Sequence, residues 1–427
     1  MYITKVLQEH KEGKEVEIKG WVHRIRKLKD KVFAVVRDTD DIIQVVFSNN
    51  TPSFNDAEKL KMESSLIVKG KLVKSEKAPN GYEIQATKLE VVDIGEDFPI
   101  QKDFSTEFLA DNRHLWLRSR KMNAILKIRS TVTGAIHDYF RREGFNEFQS
   151  PIFQSTQCEG GSELFEVKYF DKKMYLTQTW QLPAEAGIFS MEKIYTVSPA
   201  FRAEKSITSR HLTEFWMIEA EMAWMKFEDM LEIGEGLIKA CVKAVLDKNR
   251  KELEVLGRDP KKLEPTVKKK FPRITYTEAL KILKDKCKMD VEWGKDLRTV
   301  EEEKLMGLYD VPVIVTHYPK KVKAFYMKED NKNKDVVLGS DFLAPEGIGE
   351  IVGGSERESN IDSIKKRLRE MGEDPKNYGF YLDTRKYGSV PHSGFGMGLE
   401  RVVRWICGLE NIKDAIAFPR TPNRFYP

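Results

Sequence analysis

The chain has 427 residues, of which 41% are hydrophobic and 33% charged. That length allows about two or three domains with a large core, and the apolar share excludes a wholly disordered chain. The 72 basic and 67 acidic residues leave a formal charge of +5, so this is no polycation, and any nucleic-acid contact has to come from a local patch.

No run of about 20 apolar residues is present, so no membrane span is expected. The opening Met1-Tyr2-Ile3-Thr4-Lys5 leads into charged residues rather than the apolar core of a signal peptide. Cys158, Cys241, Cys287 and Cys407 lie far apart without a C-x-x-C pair. Reduced thiols and a cytoplasmic location are the expectation, and a structural zinc site is not.

Residues 1–98 read as short strands: Val16 to Val22, Lys31 to Arg37, Ile42 to Phe47, Ser65 to Val73 and Tyr82 to Val92. Charged or Pro-Asn-Gly turns separate them. Such a series suggests a small closed β-barrel, with an OB-fold as one candidate and a β-sandwich as the other. Residues 99–118 read as a polar hinge. Residues 119–427 form a long mixed α+β domain. It opens with a helix from Ser119 to Glu143, apolar at Ile125, Ile128, Val132 and Ile136, with Gly144 at its C-cap. Strands are predicted near 194–202, 214–224, 312–317, 379–383 and 392–397. Helices are predicted over 227–256, 276–287, 359–371 and 399–407. The lysine-rich stretch from Arg250 to Lys270 reads as a solvated excursion.

The residues from Lys193 to Trp224 read as strand, polar loop, strand. In the second strand Trp216, Ile218, Ala220 and Met222 share an apolar face, and Phe215, Met217, Glu219 and Glu221 share the other. In the first, Ser198, Ala200, Arg202 and Glu204 share a face. An antiparallel pair offering Arg, Glu, Phe and further cations suits a nucleotide, since guanidinium forks bind phosphate and an aromatic stacks on a base. A surface laced with salt bridges is the plainer alternative. Gly394, Gly396 and Gly398 alternate along a strand that leads into a helix. Arg401 stands in that helix's first turn, where a cation opposes the dipole unless an anion is bound. Asp341 and Glu350 supply oxygen ligands that would suit Mg²⁺.

Together these segments resemble the three signature motifs of class II aminoacyl-tRNA synthetases, in the subclass of the aspartyl, asparaginyl and lysyl enzymes. Phe145 to Phe153, around Pro151, resembles the first motif. Phe201-Arg202-Ala203-Glu204 with Arg210-His211-Leu212-Thr213-Glu214-Phe215 resembles the second, and Gly396 to Arg401 the third. The resemblance runs nearly end to end and includes an N-terminal OB-fold anticodon-binding domain. It implies a homodimer that uses ATP and Mg²⁺.

Residue by residue, it implies that Arg202 holds the α-phosphate and Arg401 the γ-phosphate, both as catalytic groups. Phe215 would stack on adenine. Glu204, Arg210, His211, Leu212, Gly398 and Glu400 would line the ATP site, and Glu350 with Asp341 would hold the metal. Glu159, Gln181, Ala184, Glu219, Glu221 and Arg357 would form the amino-acid site. In the barrel, Arg26, Phe33 and Gln44 would read the anticodon.

Within the subclass the likeness is greatest to the asparaginyl-tRNA synthetases. Aspartyl enzymes carry a lysine in a Q-x-x-K motif that here reads Gln181-Leu182-Pro183-Ala184, and they have Asp at the place of Glu219. A glutamate there can accept from the amide of asparagine and repel a carboxylate. The implied reaction is ATP-dependent formation of asparaginyl-adenylate and transfer to tRNA(Asn). The alternatives are an aspartyl enzyme of relaxed specificity, or a non-catalytic RNA-binding paralogue.

Overall fold

Strict alternation builds the first unit. In β2 (Lys31–Arg37) and β3 (Ile42–Ser48), Val32, Ala34, Val36, Ile43, Val45 and Phe47 point inward and are fully buried, while the residues between them face out. The structure, a computed structural model, describes residues 1–9, 11–101, 104–156, 158, 164–205 and 208–427. These fall into two compact units, Met1–Asn112 and Arg113–Pro427. In the first, β1 (Glu15–Lys27), β2, β3, β4 (Ser65–Lys74) and β5 (Tyr82–Asp93) close a barrel in the order β1-β2-β3-β5-β4. The barrel is an OB-fold rather than a sandwich.

The second unit is built on an eight-stranded sheet. In chain order its strands are β6 (Asn146–Glu147), then, after the small three-stranded sheet of β7 (Phe153–Gln154), β8 (Glu166–Tyr169) and β9 (Lys172–Leu176), the strands β10 (Lys193–Phe201), β11 (Glu214–Ala223), β12 (Arg273–Thr275), β13 (Val313–Thr316), β14 (Gly339–Ala344), β15 (Gly349–Glu356) and β16 (His392–Gly398). Across the large sheet the order is β12-β13-β14-β15-β16-β11-β10-β6, and β13 through β10 run antiparallel. The helices Arg120–Arg142 and Phe227–Lys248 pack on one face. They bury Ile125, Ile128, Val132, Ile238 and Val242 against Ile218, Ala220, Met222 and Met397. The other face is left to the site.

Several expectations are corrected. Residues 379–383 belong to a helix, Gly379–Lys386, because Tyr381 and Arg385 fall on one buried helical side. The helix predicted over 227–256 breaks at Asn249 into Phe227–Lys248 and Arg250–Val255. The stretch from Arg250 to Lys270 is more than a solvated excursion: Leu253 and Leu263 join the core, and buried Arg258 makes a two-pronged 2.7 Å pairing with Glu346. The stretch expected to be a polar hinge carries two short helices, Thr106–Asp111 and Arg113–Trp116. Among the described residues no helix is long and apolar enough to cross a membrane.

Candidate active site

The open face of β11, β14, β15 and β16 forms the floor of a cavity of about 660 Å³, continuous in its lining residues with a smaller chamber of about 120 Å³. Arg202, Met217, Glu350 and Gly396 border both. Every residue expected at the nucleotide site lines the smaller chamber, including Glu204, Leu212, Phe215 and Gly398. Phe215 comes there from β11, opposite Ala200 of β10; Arg202, Glu204, Arg210, His211 and Leu212 come from the connection between those strands, Glu350 from β15, and Gly398, Glu400 and Arg401 from the end of β16 and the helix after it. The Arg202 guanidinium lies 5.6 Å from the centre of the Phe215 ring. Its buried Nε has no hydrogen-bond partner among the described residues, which leaves a cationic donor free at the junction of the two chambers.

The other arginines are held by carboxylates. Arg401 donates from Nη1 to the Glu350 backbone oxygen at 2.8 Å and to its carboxylate at 3.1 Å. Arg210 donates to Glu302 at 3.3 Å and to Glu303 at 2.8 Å. His211 lies 2.5 Å from the Thr208 hydroxyl, and burial, followed by the nearby Arg401 charge, lowers its pKa. Glu400 is buried, pairs with Arg129 at 2.8 Å and accepts from the Trp216 backbone at 3.0 Å. Glu400 thus fixes the end of β11.

Asp341 and Glu350 converge on the same space. A Cβ placed on Gly353 would lie 2.9 Å from Glu350 Oε1 and 3.7 Å from Asp341 Oδ1. Asp341 accepts from Lys323 Nζ at 2.6 Å. Burial raises Asp341 to about 6, with Lys323 opposing and Glu350 adding to the rise. Burial and then the charges of Glu350 and Asp341 push Glu302 up to about 7. For Glu350, the cations Arg401, Lys323 and Arg202 outweigh burial and hold the carboxyl below its ordinary value.

The larger cavity gathers Gln181, Glu219, Glu221 and Arg357. Arg357 is buried and grips Glu221 with two nitrogens: Nε to Oε2 at 3.3 Å, and Nη2 to Oε1. Its Nη1 donates to Ser355 at 2.9 Å, and its guanidinium lies 5.1 Å from the centre of the Tyr326 ring. Burial pushes Glu221 up to about 7, with Arg357 opposing. Glu219 accepts from the Thr179 hydroxyl and the Trp180 backbone, each at 2.5 Å. These bonds lock the corner that starts the helix Gln181–Met191.

Ala184 is not brought to this cavity. It is buried in an apolar cluster with Trp180, Ile188, Ile194 and Ala223, because one turn of helix carries it to the side facing β10. Glu159 lies outside the described residues. The alternating glycines divide their work: Gly396 and Gly398 border the chambers, whereas a Cβ on Gly394 would sit 2.1 Å from Glu221 Oε1.

On the barrel, Arg26 is opposite Phe33, and Phe33 opposite Val46. Phe33 is half-buried on the outer face, and Gln44, half-buried on that face, donates to Glu83 at 2.8 Å.

Sequence reasoning missed Lys323, Glu302, Glu303 and Glu185. Lys323 hid in a lysine-rich run and offered no signal. The four-residue spacing from Gln181 to Glu185 on a helix was a readable one.

The family model described as tRNA synthetases class II (D, K and N) matches residues 105–422, and that of an OB-fold nucleic acid binding domain matches residues 16–92. The asparagine–tRNA ligase of Thermococcus gammatolerans is 49% identical over 418 residues, 97% of each chain. Among solved structures, the asparaginyl-tRNA synthetase of Pyrococcus horikoshii complexed with asparaginyl-adenylate superposes with a TM-score of 0.95 at 45% identity, over 100% of this chain and 99% of that one. The Entamoeba histolytica enzyme, also in complex with asparaginyl-adenylate, gives 0.88 at 32% identity over 98% of both.

Proposed function

Because the chain belongs to the class II tRNA synthetases of the aspartyl, lysyl and asparaginyl group, we propose that it is an ATP-dependent ligase that charges tRNA(Asn) with asparagine. The asparagine carboxylate attacks the α-phosphorus of ATP, diphosphate leaves, and the terminal ribose hydroxyl of the tRNA then takes the acyl group and releases AMP. No side chain forms a covalent intermediate. Catalysis rests on placing two anions and stabilising the charge that develops between them.

Arg202 suits the α-phosphate, since its orphaned Nε stands where the two chambers meet. Arg401 suits the γ-phosphate, and ATP takes over from Glu350 as its anionic partner. Phe215 stacks on adenine, and Glu204, Arg210 and His211 border the same chamber. Asp341 and Glu350 fit Mg²⁺: they are hard oxygen donors facing the space a Cβ at Gly353 would fill, and Mg²⁺ typically takes one or two carboxylates besides phosphate oxygens. When bound, the ion neutralises phosphate charge.

The observation that carries asparagine as substrate is the Arg357–Glu221 pair. The guanidinium already has a carboxylate partner, so it can donate to an amide oxygen without leaving its own charge unbalanced. An aspartate side chain would bring a third carboxylate beside Glu221 and Glu219. Like charges placed together cost several kcal/mol.

The outer face carrying Arg26, Phe33 and Gln44 suits a single-stranded anticodon base. Exposed Ile152 and Phe153, with Tyr169 and Phe170 beside them, suit the two-fold interface of a homodimer. A cytoplasmic location accords with the thiols of Cys241, Cys287 and Cys407, which form no disulfide. The deciding experiment is amino-acid-dependent ATP–pyrophosphate exchange with asparagine and aspartate side by side, followed by aminoacylation of a tRNA(Asn) transcript. Asparagine should be favoured by roughly 10²-fold or more. Equal activation of aspartate would overturn the assignment.

A further inference from the structure

Behind Gln181 lies a buried carboxylate that none of the roles above uses. Glu185 is fully buried, one helical turn beyond Gln181 in the helix Gln181–Met191. Its Oε1 accepts from Gln181 Nε2 at 2.8 Å. Its other contacts come from the helix Gly379–Lys386 and the start of β16: Tyr381 Oη at 3.0 Å, Arg385 Nη2, and His392 Nε2 at 3.0 Å. Arg357 Nε is 3.9 Å away. Three separate elements therefore hold this carboxylate in one place.

The consequence falls on Gln181. An ionised carboxylate only accepts hydrogen bonds, so the face of the amide turned towards Glu185 has to be its NH₂. The amide oxygen is left to the cavity that Gln181 borders, with no other partner among the described residues. Arg385 and then His392 outweigh the burial of Glu185 and hold its carboxyl well below the usual carboxylate range, so this orientation persists across the working range of pH.

We propose that Glu185 is a positioning residue that fixes Gln181 with its carbonyl oxygen towards the substrate, as the acceptor for the α-ammonium of the amino acid. This rests on the reading of the larger cavity as the asparagine site. The α-ammonium is the strongest donor that asparagine offers, and a charge-assisted hydrogen bond is roughly twice as strong as a neutral one. Donation from the amide to a carboxylate polarises it further and makes its oxygen a better acceptor. Glu185 acts through Gln181 and does not touch the substrate.

The test is Glu185→Gln in the full-length protein. A glutamine at 185 can still accept from Arg385, but it then turns an NH₂ towards Gln181. The Gln181 amide reverses and presents a donor to the ammonium. The KM for asparagine in pyrophosphate exchange should rise roughly tenfold or more, with the KM for ATP unchanged. Inhibition by succinamate, which is asparagine without its α-amino group, should stay as in wild type. In a Gln181→Met background, Glu185→Gln should add little.

A purely structural role predicts that asparagine and succinamate weaken together, and that result would overturn the proposal. So would an unchanged asparagine KM. If Glu185→Gln does not fold, Gln181→Met alone decides: it should weaken asparagine and spare succinamate, and equal loss of both rejects the idea. A wild-type protein that fails to activate asparagine would instead reject the assignment of the site, whatever the variants do.

Discussion

Gly394→Ala tests how the amino-acid site is held together. A Cβ there would stand 2.1 Å from Glu221 Oε1 and 2.2 Å from its Cδ. Ordinary contacts between non-bonded heavy atoms are about 3.5–4.0 Å, so the carboxylate has to move by more than an ångström. That is more than a hydrogen bond tolerates, so Glu221 loses Arg357. Gly394 lies in β16 between β11 and β15, and alanine is at home in such backbone, so the cost comes from the collision. Breaking a buried ion pair costs about 3–5 kcal/mol. Arg357 keeps Ser355 and has Glu185 at 3.9 Å, so we take about 2–4 kcal/mol. At about 2–4 °C per kcal/mol for a domain somewhat smaller than this one, the melting transition of the catalytic unit should fall by roughly 5–15 °C. The KM for asparagine should rise at least roughly tenfold, with that for ATP little changed. Scanning calorimetry and pyrophosphate exchange read both effects. A Gly394→Ala protein with wild-type melting and wild-type asparagine KM would refute the claim that this glycine makes room for the pair.

Arg202→Ala should cut adenylate formation by about 10²-fold or more, as removal of one charge-stabilising donor typically does; near-normal single-turnover rates would remove Arg202 from the chemistry. Phe33→Ala should weaken aminoacylation of tRNA(Asn), through a loss of about 1–3 kcal/mol of stacking, while leaving exchange without tRNA intact; an equal loss of both would make Phe33 a core residue. Selectivity should also follow pH. Burial, opposed by Arg357, pushes the Glu221 carboxyl up to about 7; when ionised it neutralises Arg357, and when protonated it leaves the guanidinium free to attract a carboxylate. The kcat/KM ratio of asparagine to aspartate should therefore fall as the pH drops from 8 to 6, and a flat ratio would contradict this account.

What was legible in the sequence was chemistry carried by alternation. Arg202, Phe215, Glu219 and Glu221 could be assigned to one face because strands β10 and β11 have a period of two, and the structure puts all four on the cavity side. Less legible were groups brought in by chain reversal. The pairing of β14 with β15, which sets Asp341 opposite Gly353, was hidden by glycines that blur strand periodicity. Phe380 and Tyr381 look strand-like by composition, yet both lie in a helix, with Tyr381 on its buried side and Phe380 exposed. Ala184 was placed by motif spacing alone, and the turn of the helix carries it away from the cavity.

The outward position of Phe33 has a further consequence. Val32, Ala34 and Val36 close the barrel from within, while Phe33 and its neighbour Arg26 stand on the other side of the same backbone. On the proposed anticodon role of that outer face, folding and recognition are written on alternate letters of one strand. A lineage can rewrite the outward letters, and with them which nucleotide is read, while the inward letters keep the barrel intact. The same barrel is therefore open to serving ligases of different amino acids, with each new reading face tried at little risk to the fold that presents it.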